Sequence, residues 1–379
     1  LVILKFKTDF PKIRKQKGTR MLNPGSKFLW HRSQSANDSH IMKRSADNEQ
    51  YRKPQSKQMD RTAITNNGIL LGTSPENFGD KIKDILCDGS PVTVQQLKDD
   101  WTNVECSNHA ENTVNPIRKI VDCMSVAPNP EKSLIKLHLG DPTITGTLPT
   151  HPKILEALNK SLISGKYNGY GPATGIPEIR AALADHVTCD EAPVTSDDVI
   201  LTSGCSHALQ LAIEALANPG DNILVPRPGF PLYSTLMRPH GIEDRAYNLS
   251  IERDWEIDLA HLESQIDGRT KAVIVNNPSN PCGAVYGPAH LRAVLKLADR
   301  YKLPIIADEI YGDLTFGDDD ARFYPLATLE PKVPILTCDG IGKRYLVPGW
   351  RLGWLIIHNR HNALARVHDG LRQLATKIV

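Results

Sequence analysis

The feature that most constrains this fold is a repeated pattern: short apolar runs, many of them β-branched, that stop at glycine, proline or a polar side chain. Val199-Ile-Leu-Thr202 stops at Ser203-Gly204, Ala272-Val-Ile-Val275 at Asn276-Asn-Pro278, and Ile305-Ile-Ala307 at Asp308. Helical patterns lie between them, as in Cys205 to Leu216, where apolar residues recur at amphipathic spacing. Buried strands alternating with helices predict an α/β fold, a mostly parallel sheet covered by helices. In such sheets ligands collect at the carboxyl ends of the strands, where the polar stops of this chain fall.

Those stops carry the chemistry. Cys338-Asp-Gly-Ile-Gly-Lys343-Arg-Tyr-Leu-Val-Pro-Gly-Trp-Arg351-Leu-Gly-Trp354 places a lysine after a short strand and an arginine among glycines. A lysine amine with a lowered pKa forms a Schiff base with an aldehyde, and an arginine fork suits a phosphate. The pair points to pyridoxal 5'-phosphate; the plain alternative is a surface turn with ordinary basic residues. A nucleotide phosphate loop needs wider glycine spacing and Ser or Thr after the lysine, whereas Arg344 follows here. Upstream, Gly204 opens the helix from Cys205, so its free N–H groups and the Ser206 hydroxyl suit an anion, although such turns also occur without ligands. Phe230, in Val225-Pro-Arg-Pro-Gly-Phe, is placed to stack on a flat ring or to serve as plain core. Asn280, in Asn277-Pro-Ser-Asn-Pro-Cys-Gly283, offers an amide donor, and Asp308 a carboxylate.

Gly140-Asp-Pro, Lys166-Tyr-Asn-Gly-Tyr170, Thr202-Ser-Gly-Cys-Ser206, the Asn277 and Ala307-Asp-Glu-Ile-Tyr311 stretches and the Lys343 segment occur in one order. In that order they resemble the fold-type I pyridoxal-phosphate aminotransferases, from roughly Trp101 onward, and most closely the tyrosine-specific branch of animals. The resemblance implies that Lys343 carries the cofactor and later moves the substrate proton, that Asp308 pairs with the pyridinium nitrogen, and that Asn280 and Tyr311 hydrogen-bond the ring's phenolic oxygen. Phe230 would stack on the ring. Arg351, Ser206 and the N–H groups of Gly204 and Cys205 would hold the phosphate. Tyr170 would reach the cofactor phosphate of a neighbouring subunit, implying a homodimer, and Gly140 would lie beside the substrate carboxylate.

Two departures stand out against that family. Many relatives have serine three positions before the lysine, where Gly340 stands here; the expected cost is one neutral hydrogen bond, about 1 kcal/mol. Relatives also continue past the equivalent of Val379 with the rest of a small domain and its carboxylate-binding arginine, and this chain opens on Leu1. The expectation is therefore an incomplete small domain, no assigned carboxylate clamp and weak turnover. The expected organisation is a poorly ordered basic and polar extension over 1–107, the first part of the small domain over 108–150, and the cofactor-binding large domain over 151–379. Phe78 to Trp101 is expected to form a short helical or mixed element, Leu134 to Leu139 a strand, and Ala363 to Ile378 a helix.

Composition enters by exclusion. The formal net charge is +2, which gives no reason to expect nucleic acid or a membrane as partner. The seven cysteines lack paired short spacings, which favours reduced thiols in a cytosolic setting over a disulfide framework; the basic, Ser-containing start resembles a mitochondrial presequence, but Asp9 argues against that setting. His358 and His361 have no suitably spaced co-ligands, so no metal is expected and both read as solvated loop residues. The expected function is transfer of the amino group of L-tyrosine, or another aromatic amino acid, to 2-oxoglutarate through alternating pyridoxal and pyridoxamine forms. Its products are 4-hydroxyphenylpyruvate and glutamate. A pyridoxal-phosphate lyase and a catalytically silent fragment are the alternatives, since a cofactor site alone does not decide which bond breaks.

Overall fold

The structure, a computed structural model, describes residues 104–379 apart from 128, 133, 136–139, 142, 144–147, 317–321, 330–331 and 379. The expected extension and the Phe78 to Trp101 element fall almost wholly outside the described residues, as does most of the Leu134 to Leu139 strand.

The chain enters through α1 (Asn108–Glu111) and α2 (Pro116–Val121). Asn115 caps α2, its Oδ1 accepting the Arg118 N–H at 3.1 Å. Then come α3 (Pro152–Ile163) and α4 (Pro177–Val187). Proline stands at the start of α2, α3 and α4, where its missing N–H costs nothing. The sheet region follows with β1 (Val199–Thr202), α5 (Gly204–Leu216), β2 (Asn222–Arg227), α6 (Leu232–Met237), β3 (Glu243–Ser250), β4 (Glu256–Ile257) and α7 (Leu259–Ser264). It continues through β5 (Thr270–Asn276), α8 (Pro288–Tyr301), β6 (Ile305–Asp308), β7 (Ile335–Gly340), α9 (Ile341–Arg344), β8 (Gly353–His358) and α10 (Ala365–Ala375).

The eight strands lie in the order β1-β8-β7-β6-β5-β2-β3-β4. β3, β2, β5, β6 and β7 run parallel, while β8 is antiparallel to both its neighbours and β4 to β3. The expected mostly parallel sheet is therefore present. Strand alternation explains its two-sided burial. Ile223, Val225, Ile274, Ile306 and Leu336 face a core shared with α5, α6 and α10, whereas Leu224, Val273, Val275, Ile305 and Ile335 face a core shared with α7 and α8. A third cluster joins α4 to Val199, Trp354 and Ile356 on β1 and β8.

The chain goes from β2 outward to β3, then returns to β5 on the other side, so the strand order reverses between β2 and β5. That reversal opens a crevice at the carboxyl ends of the strands. His358 differs from its sequence reading: it ends β8 with 7% exposure, and burial pushes its imidazole down to about 4. β8 is buried along its whole length and continues one residue further than the following Asn359-Arg360 suggests. Among the described residues no helix is long and apolar enough to cross a membrane.

Candidate active site

Strand register gathers the polar residues of the sequence at one edge. Asn276 of β5 lies beside Asp308 of β6, and Asp308 beside Cys338 of β7. Gly340 of β7 and Thr202 of β1 both lie beside Gly353 of β8. The turn before α5, the end of β6 and the Lys343 segment thus converge although they lie far apart in sequence.

Lys343 sits on the single turn α9 directly after β7 and is half-buried. Its Nζ donates to the Gly140 carbonyl at 3.4 Å and lies 5.6 Å from the centre of the Tyr311 ring. Burial lowers its pKa below the usual lysine range; Arg351 adds to the shift and Asp141 opposes it. A larger share of neutral amine, the nucleophilic form, follows. Arg344, the next residue, anchors the turn. It bonds Asp339 at 2.7 Å and Asp313 at 2.8 Å, with its guanidinium 6.0 Å from the centre of the Trp354 ring. Burial raises the Asp339 carboxyl to about 6 despite the Arg344 charge.

The anion cradle is built by close approach. Gly204 opens the 13-residue α5 with φ +74°, and a Cβ there would strike the Arg351 guanidinium. A Cβ on Gly353 would strike the backbone of Gly204 and Cys205. Arg351 donates from Nη2 to the Ser203 carbonyl at 3.2 Å and from Nη1 to the Pro348 carbonyl at 3.0 Å, which holds its fork against the start of α5. Cys205 and Ser206, both half-buried, complete the first turn of that helix. Gly340 is the informative departure. A Cβ there would lie 2.8 Å from the Leu352 carbonyl oxygen and 3.0 Å from the Gly353 Cα. A serine at this position would require the Leu352-Gly353 backbone to shift, so glycine here also serves packing.

Asp308 is 2% exposed. Its Oδ2 accepts the Tyr233 hydroxyl at 2.7 Å, and its Oδ1 faces the Cys205 thiol at 3.7 Å and the Ile310 N–H at 3.4 Å. Burial raises its pKa, and these three donors partly offset the shift. None of the three is cationic. A buried carboxylate held by neutral donors is matched to a positive group that arrives with a ligand. Phe230 meets Tyr233 edge to face, with ring centres 5.8 Å apart. Burial and then the Asp308 charge raise the Tyr311 phenol. Asn280 heads the turn after β5, and its backbone N–H donates to Asn276 Oδ1 at 2.6 Å.

Lys343, Asp308, Tyr311, Asn280, Phe230, Gly204, Cys205, Ser206, Arg351 and Gly140 thus line one edge of the fold. Tyr170 stands apart from them at 98% exposure. An amine of lowered pKa, a buried carboxylate and an arginine at a helix N-terminus together fit pyridoxal phosphate. Sequence reasoning missed Tyr233, Asn276 and Arg344. Tyr233 had a usable signal, since it falls three residues after Phe230 at the head of a helix. Asn276 had none, because its partners are set by register.

Residues 132–379 match the model of the family described as aminotransferase class I and II. The chain is similar to tyrosine aminotransferase of Caenorhabditis elegans, 55% identical over 283 residues, covering 74% of this chain and 61% of that protein. It is likewise similar to the human tyrosine aminotransferase, 52% identical over 290 residues, covering 76% of this chain and 63% of that protein. The chain therefore spans somewhat less than two thirds of the length of these relatives. Among solved structures it is similar to tyrosine aminotransferase from Leishmania infantum, with TM-score 0.68 and 33% identity, covering 74% of this chain and 73% of that one. On the family match and these relatives, the chain belongs to the class I and II aminotransferases.

Proposed function

We propose that the chain acts as a pyridoxal-phosphate aminotransferase that moves the amino group of L-tyrosine to 2-oxoglutarate. The observation that carries this reading is the convergence of the half-buried Lys343 amine, the buried Asp308 carboxylate and Arg351 on one sheet edge. When bound, pyridoxal phosphate supplies an aldehyde for the amine and a protonated ring that withdraws electrons from the substrate α-carbon.

The residues divide that work. Burial favours the neutral form of the Lys343 amine, which would carry the cofactor and then move a proton at the substrate α-carbon. Asp308, as a carboxylate, keeps a ring nitrogen protonated, and Tyr233 holds its Oδ2 in place. Asn280 and Tyr311 serve the ring's phenolic oxygen, and Phe230 supports its face. Arg351, Ser206 and the N–H groups of Gly204 and Cys205 would hold the phosphate, where the helix dipole favours negative charge. The Gly140 carbonyl accepts from Lys343 Nζ at 3.4 Å, and in this reading its backbone would lie beside the substrate carboxylate.

A homodimer belongs to this reading. Leu155, Leu158 and Leu162 are exposed on one face of α3, with Ile163 77% exposed at its end, near the 98% exposed Tyr170 in sequence. Such a stripe suits burial against a second copy. A cytoplasmic setting rests on the cysteine usage of the sequence. Tyrosine as substrate rests on the relatives' names. The test is to supply the cofactor-loaded protein with tyrosine and 2-oxoglutarate and assay for 4-hydroxyphenylpyruvate and glutamate by chromatography. Both products in equal amounts are expected; release of ammonia with carbon–carbon or carbon–sulfur cleavage products from amino acids, or no product, would overturn the reading.

A further inference from the structure

Asn276 ends β5 and is 3% exposed. Both ends of its amide are in use, and both reach residues assigned to the cofactor ring. Its Nδ2 donates to the main-chain carbonyl of Asp308 at 3.2 Å. Its Oδ1 accepts the backbone N–H of Asn280 at 2.6 Å. The same Asp308 carbonyl accepts the Asn277 N–H at 3.1 Å, so the end of β6 is tied twice to the end of β5. An amide side chain offers a donor and an acceptor on one rigid plane; aspartate lacks the donor when ionised, and alanine lacks both.

The contrast with neighbouring polar residues defines the role. Asn277 Oδ1 accepts the Tyr286 N–H at 2.9 Å and closes the loop on itself. Asn222, fully buried at the opposite edge of the sheet, bonds Asp267 at 2.9 Å. Those two hold a fold together. Asn276 instead links the backbones of two residues that would hold different positions of one flat ring. We propose that Asn276 is a positioning residue that sets the separation of Asn280 and Asp308, and with it the fit of the pyridoxal ring between them. This inference rests on the cofactor reading above.

The test measures the dissociation constant of pyridoxal phosphate by absorbance titration, the thermal midpoint, and the pH at which the Lys343-dependent absorbance band changes. Three variants are compared with the wild type: Asn276→Ala, Asn276→Asp and Asn222→Ala. Asn276→Ala is expected to weaken cofactor binding by about 10- to 100-fold and to move the spectral midpoint. Asn222→Ala is expected to lower the thermal midpoint comparably and to leave both cofactor readouts at wild-type values. Asn276→Asp keeps the acceptor for Asn280 and regains a donor to the Asp308 carbonyl only when protonated. Its affinity deficit relative to wild type should therefore shrink as pH falls. This second variant decides the matter if Asn276→Ala does not fold. Wild-type affinity and spectral midpoint in both Asn276 variants, an equal effect from Asn222→Ala, or a pH-independent deficit in Asn276→Asp would overturn the inference. A wild-type protein that forms no Lys343-dependent band would overturn the cofactor reading itself; a normal band with unaffected variants would overturn the positioning role alone.

Discussion

At the scale of single residues, the site trades stability for readiness. Asp308 is buried without a cation among its hydrogen-bond partners, and burial raises its pKa above the usual aspartate value of about 3.9. The folded chain then holds this proton more tightly than the unfolded chain, so stability is lost as pH rises through the folded value. Asp308→Asn removes the charge and keeps an acceptor for Tyr233. The cofactor-free variant should melt higher than wild type at pH 8 while binding pyridoxal phosphate more weakly; lower melting with unchanged affinity would contradict this. Gly340 makes the opposite point, since glycine there also serves packing. Gly340→Ser pushes a Cβ onto the Leu352 carbonyl and should cost about 1–3 kcal/mol in urea unfolding. Full stability together with tighter cofactor binding would show that the backbone yields and that a serine is useful there.

At the scale of elements, the ends of the strands matter most. Glu309, one residue past β6, is 7% exposed and accepts the Leu326 N–H at 2.8 Å. Burial raises its carboxyl to about 8. Because the folded value lies above the unfolded one, the folded chain loses stability as pH climbs from about 4.3 toward 8. Glu309→Gln keeps the acceptor and should flatten the decline, raising the thermal midpoint at pH 8.5 more than at pH 5. An equal change at both pH values would contradict the assignment. The apolar runs made the parallel sheet and its helical cover legible in the sequence, because each buried strand writes its burial into consecutive residues. The turn glycines and Lys343 were legible for a similar local reason. The bonds of Tyr233 to Asp308, of Asn276 to the Asp308 carbonyl and of Arg344 to Asp313 were not, because those contacts join residues whose distance in sequence carries no information about register. His358 was misread for want of one residue of strand length.

At the scale of the whole molecule, the exposed stripe of Leu155, Leu158 and Leu162 and the isolated Tyr170 belong together if a second copy covers them. Leu162→Asp should then convert a sedimenting dimer to monomers while leaving the far-ultraviolet circular dichroism unchanged; a wild-type monomer, or a dimer indifferent to the charge, would contradict the proposed assembly. The sheet brings Lys343, Asp308 and Arg351 to one edge, so the account depends on one covalent event at one lysine. The most direct measurement adds pyridoxal phosphate to the purified chain, reduces the product with borohydride, and maps the modified peptide by mass spectrometry, with Lys343→Ala as the control. The account predicts a cofactor absorbance band in the wild type alone and a single reduced adduct on Lys343; no band, or an adduct spread over surface lysines and retained in Lys343→Ala, would contradict it.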